Sequence, residues 1–70
     1  MILYGSPEEL VKALQEEVEK LLSLKGRDAH LDKFIDMKLR MLKDCIEKTR
    51  KTTYNTIQIV ALNNCYIIEI

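Results

Sequence analysis

Two cysteines, one histidine and a glutamate–lysine pair are the side chains in this sequence with the best prospect of chemistry. Cys45 and Cys65 lie far apart and lack CxxC spacing, and His30 is the sole histidine. Three soft ligands without a recognisable spacing do not make a structural zinc site, which takes four. No leader segment precedes the cysteines, so the expectation is two free, buried thiols in a reducing compartment, with a single disulfide as the alternative. His30 stands at the start of a helical pattern and reads as a capping-region or surface residue. It has no nucleophile in reach and no orienting acid beyond the helix-start residues Asp28 and Asp32.

Glu17 and Lys38 each interrupt an apolar helical arc. Folding the two helices back on each other sets the pair at about the same height. The plain reading is that both sit at the arc's edge and reach out to water. The sharper one is a partly buried ion pair, within or between subunits, that fixes register. A catalytic pair would need an oxyanion site or a nucleophile, and the sequence offers neither. The expectation is therefore a protein without catalytic, metal or cofactor residues, and not an enzyme.

Arg40, Lys43, Lys48, Arg50 and Lys51 form the densest basic stretch, but Asp36, Asp44 and Glu47 interleave with them. A solvated helix face is the ordinary meaning of that pattern. A dimer would double the bases Arg40, Lys43, Arg50 and Lys51 into a phosphate-contacting patch, which gives a small nucleic-acid-associated regulator as the alternative function. The chain's 11 basic and 11 acidic residues cancel, and this weighs against nucleic acid.

These residues are positioned by a short list of elements in what reads as one small domain. Ser6-Pro7-Glu8-Glu9 is a helix start, with a capping hydroxyl, a proline at the first helical position and acids at the positive end of the dipole. Val11, Leu14, Val18 and Leu21 continue it as a seam to about residue 25, where Lys25-Gly26 stops it. A second helix runs from about residue 28 to 52. Leu31, Ile35, Leu39, Leu42 and Ile46 form one stripe on it. Phe34, Met37, Met41 and Cys45 form another beside it, so this helix should be covered on two sides.

Beyond Thr52 the period changes from that of a helix to that of a strand. Residues 56–62 and 65–70 are rich in β-branched and aromatic types, with Asn63-Asn64 between them as a two-residue turn. That turn pairs Leu62 with Cys65, Val60 with Ile67, and Gln58 with Glu69. Alternation gives two faces. Ile57, Ile59, Ala61, Tyr66, Ile68 and Ile70 make the more apolar one, assigned to the core against the second helix. Gln58, Val60, Leu62, Cys65, Ile67 and Glu69 are left outward. The fold class is thus α+β: an antiparallel helical hairpin, then a C-terminal two-stranded β-hairpin. Met1 to Tyr4 adds either a short strand or a plug against the core.

Hydrophobic residues make up 47% of the 70, a high share for a body with so much surface to cover. The apolar ending at Ile70 leaves room for a piece of a larger chain, but the simplest remedy for the surplus is a second copy. The expected function is a non-enzymatic interaction or assembly module. It would act as a homodimer, and bind any further protein partner, through Phe34, Met37, Met41, Val60, Leu62, Cys65 and Ile67. No apolar run approaches the roughly 18 residues of a membrane span, so no membrane role and a cytoplasmic location are expected.

Overall fold

The computed structural model describes residues 2–60 and 64–70. It contains β1 (Ile2–Gly5), α1 (Pro7–Leu24), α2 (Ala29–Arg50), β2 (Thr56–Val60) and β3 (Cys65–Glu69). The strands form one antiparallel sheet in the order β1-β2-β3. The fold class is therefore α+β, with the N-terminal segment present as an edge strand.

Local chemistry accounts for the helix limits. The Glu9 N–H donates to Ser6 Oγ at 3.3 Å and starts α1. Asp28 Oδ1 accepts from the N–H groups of His30 and Leu31 and starts α2. Between them, Gly26 has φ +93°, a left-handed conformation that a side chain would strain. The turn is closed from the α2 side: the Gly26 N–H donates to Asp32 Oδ1 at 3.0 Å, and Lys25 Nζ lies 2.7 Å from Asp36 Oδ1. The Asp36 carboxylate, by hydrogen bond and by charge, raises the Lys25 pKa above its ordinary value. A raised lysine stabilises the fold below its unfolded pKa of about 10.4, and the benefit disappears as pH climbs through the folded value.

The two helices pack on one face of the sheet. Leu14, Met41, Leu42, Cys45, Ile46 and Val60 form the buried core, with Leu3, Val11, Val18, Leu21 and Cys65 against it. Leu31 to Ile46 behaves as a seam toward α1, except that Leu31 lies exposed at the hairpin's tip.

The hairpin departs from the expected register. Val60 pairs with Cys65, Gln58 with Ile67 and Thr56 with Glu69, a shift of two residues. The strand extension to Leu62, and Asn63 of the expected turn, lie outside the described residues.

The sheet also turns its other face to the helices. Thr56, Gln58 and Val60 are buried, Cys65 and Ile67 are half-buried, and Ile59, Tyr66, Ile68 and Ile70 are exposed. This reverses the assignment made from apolar content. The inner face is chosen by the groups that α2 presents to it. The side chain of Gln58 donates from Nε2 to Thr49 Oγ1 at 2.6 Å, and Thr49 Oγ1 donates to the Cys45 carbonyl at 2.6 Å. A buried amide needs such partners, and only this orientation of β2 supplies them.

That network makes a measurable prediction. Thr49→Val alone leaves the Gln58 amide without an acceptor and costs about 2 kcal/mol. Adding Gln58→Leu removes the stranded group, so the double variant returns to within about 1 kcal/mol of the parent. Denaturant unfolding of the four proteins checks this, and strict additivity would contradict it.

Thr56 offers a second test. Its Oγ1 is buried with no hydrogen-bond partner. Thr56→Val keeps the shape and removes the stranded hydroxyl, so unfolding should become harder by about 1 kcal/mol.

Candidate functional site

The outward face of the sheet is the most distinctive surface of the molecule. Direct cross-strand partners point to the same side of a sheet. Tyr4 pairs with Ile57 and Ile57 with Ile68, which makes one row across all three strands. Ile2 pairs with Ile59 and Ile59 with Tyr66, which makes the second. All six residues are isoleucine or tyrosine, and no charge interrupts them. Ile2 is 71% exposed, Tyr66 55% and Ile59, at the centre, 38%. The hairpin's share of this face is legible in the sequence, but its apolar content assigned it to the core. The share from β1 is not, because a four-residue strand that pairs with a segment more than fifty residues away leaves no short-range signal.

The residues expected to meet a partner fall into different environments. Met41 and Val60 are buried in the core, at 6% and 4% exposure, and Ile67 is half-buried beneath the helices. Leu62 lies outside the described residues. Phe34 and Met37 are exposed. They occupy the same stripe of α2 as Met41 and Cys45, but closer to the helical tip.

Cys65 is joined to Cys45 by a disulfide, with Cα atoms 5.7 Å apart. The expectation of free thiols is thereby corrected. The two residues meet because Cys65 opens β3 on the inner face, directly below the side of α2 that carries Cys45. Cys45 Sγ also lies 3.6 Å from Gln58 Oε1. In the disulfide that sulfur has no proton to donate, so the contact is van der Waals until the bridge is reduced.

Glu17 and Lys38 are both half-buried, and the described ion pairs are Lys25–Asp36 and Lys48–Asp44. His30 is exposed in the first turn of α2. Among the described residues, no group of three His, Cys, Asp or Glu side chains is placed to hold a metal ion.

Three of the four bases in the alternative reading, Arg40, Lys43 and Arg50, do come together. They line an open groove of about 900 Å³ between α1 and α2, away from the sheet. Glu19, Asp44 and Glu47 line the same groove. Three acids against three bases give a polyanion little net attraction. No helix among the described residues is long and apolar enough to cross a membrane.

Comparison with protein-family models, with curated proteins and with solved structures found no match to this chain. The arrangement of side chains is therefore the basis for any functional reading.

Proposed function

We propose that the protein is a non-enzymatic interaction and assembly module that acts as a two-fold homodimer through the open face of its sheet. The observation that carries this reading is the pair of uncharged rows, Tyr4–Ile57–Ile68 and Ile2–Ile59–Tyr66. Their exposures correspond to on the order of 600 Å² of accessible surface per chain, at the top of what a monomer's largest apolar patch usually reaches. Two such faces supply about 1,200 Å², the lower bound of a specific interface. The absence of charge favours an equally uncharged counterpart, and a second copy provides one. Tyrosine at opposite corners of the face adds large, stiff contact area at little entropic cost.

A nucleic-acid-associated role has less to draw on, because the bases that converge do so in a neutral groove. The disulfide also removes the free-thiol argument for a cytoplasmic location, since lasting bridges belong mainly to oxidising compartments.

Intermolecular nuclear Overhauser effects in a mixture of isotope-labelled and unlabelled chains test the reading. Contacts from the methyls of Ile59 and Ile68 and the ring of Tyr66 to the unlabelled chain are expected. Contacts only from the outer helical groove would overturn it.

A further inference from the structure

One end of the Gln58 amide lacks a partner while the disulfide is closed. Thr49 Oγ1 donates its only proton to the Cys45 carbonyl at 2.6 Å. Toward Gln58 that oxygen therefore accepts, and it does so from Nε2 at 2.6 Å. With the amino end held there, the carbonyl end points the other way, and Oε1 lies 3.6 Å from Cys45 Sγ. Gln58, Thr49 and Cys45 are all fully buried. In the bridge Cys45 Sγ carries no hydrogen, and among the described residues no other hydrogen bond reaches Oε1. A buried acceptor thus faces a sulfur that cannot donate, which is a costly arrangement. A permanent bridge gains nothing from it. The core around Cys45 is otherwise Leu14, Met41, Leu42, Ile46 and Val60, and an apolar side chain at position 58 would leave no acceptor stranded. A dithiol gains the missing bond. Cys45 Sγ–H then donates to Gln58 Oε1, Gln58 Nε2 to Thr49 Oγ1, and Thr49 Oγ1 to the Cys45 carbonyl, so the set closes on Cys45 itself.

We infer that Cys45 and Cys65 form a reversible thiol switch, that Gln58 is the residue that holds its reduced state, and that its reaction partner is a low-molecular-weight monothiol. Two molecules of such a thiol, RSH, open the bridge by way of a mixed disulfide. The Sγ–Sγ bond breaks, each sulfur of the chain gains a hydrogen, and the two RS groups leave joined as RSSR. The chain is reduced by two electrons and the small thiols are oxidised by two. The acceptor that Gln58 presents to Cys45 is satisfied only on the dithiol side, so it moves the balance toward the open form. The protein gives up apolar content on the inner face of its sheet to place that amide beside the sulfur. Both cysteines lie between the helices and the sheet, so the switch does not depend on the homodimer contact at the outer face.

Equilibration with glutathione tests the switch. The full chain and its Gln58→Leu variant are held without oxygen in mixtures of glutathione and glutathione disulfide, quenched with acid, alkylated and weighed by mass spectrometry. The parent should pass from disulfide to dithiol as the mixture becomes more reducing. Gln58→Leu should shift that equilibrium about tenfold toward the bridge, equal to about 30 mV. A parental bridge that stays closed in every mixture overturns the inference, and so does a Gln58→Leu variant with no shift or a shift toward dithiol. The infrared S–H stretch of Cys65→Ala, which keeps Cys45 as a thiol, reads the bond itself. Its band should lie at the lower frequency of a hydrogen-bonded thiol and rise when Gln58→Leu is added. A band already at the free-thiol position means that Gln58 does not hold the reduced state. Far-UV circular dichroism verifies the fold of each variant, and if Cys65→Ala does not fold, the glutathione equilibrium decides alone.

Discussion

Ile59→Glu is expected to convert the protein to a monomer without unfolding it. Ile59 is at the centre of the open face, between Ile2 and Tyr66, on the side of β2 away from the core. In an isolated chain a carboxylate there is partly solvated and does little harm. In a dimer it is enclosed without a counter-charge, at about 3 kcal/mol or more per copy. A two-fold contact contains the change twice, so the dissociation constant should rise by about four orders of magnitude. Size-exclusion chromatography with light scattering reads the effect directly. An equal loss of helical signal would show that the substitution had damaged the fold and not the contact.

Reduction of the Cys45–Cys65 bridge is expected to lower stability by about 3 kcal/mol. The bridge spans 20 residues of chain, and a closed loop of that size removes roughly this much entropy from the unfolded state. For a chain this short, that is a large part of a total of about 5 kcal/mol. Part of the loss should be recovered, because a free Cys45 thiol can donate to Gln58 Oε1, 3.6 Å away. Denaturant titrations with and without a thiol reductant give the difference. Cys65→Ser should reproduce the reduced curve. A midpoint unchanged by reductant would contradict the bridge as a stabilising element.

The helices were legible because their signals are local. Ser6 and Asp28 are caps with partners two or three residues on, and Gly26 ends a helix where the sequence places a stop. The stripes on α2 were legible for the same reason, and the Met41–Cys45 half of the second stripe does meet the sheet, while Phe34 and Met37 stay exposed. The orientation of the hairpin was not. Alternation divides Thr56 to Ile70 into two faces but does not say which is inward, and counting apolar residues selected the wrong one. The choice depends on Gln58 meeting Thr49 and on Cys65 meeting Cys45. These are tertiary pairings that no window of sequence contains. The register that an Asn63-Asn64 turn would set lies two residues away from the one the strands adopt, in which Val60 meets Cys65.

The surplus of apolar surface changes its location through this correction. Met41 and Val60, expected at a partner contact, are satisfied within the chain. The uncovered surface lies instead on Ile2, Tyr4, Ile59, Tyr66 and Ile68, together with Phe34 and Met37 on α2. Adding β1 to the sheet enlarged the very face that the helices do not cover. The total was legible from composition; which residues made it up depended on the sheet.

Sedimentation equilibrium of the unmodified chain over a wide concentration range tests the central claim most directly. The mass should tend to twice the 8.2 kDa of one chain as concentration rises. A mass fixed at 8.2 kDa up to millimolar concentration would mean that the Ile–Tyr face remains open to water, and that the chain does not assemble with itself.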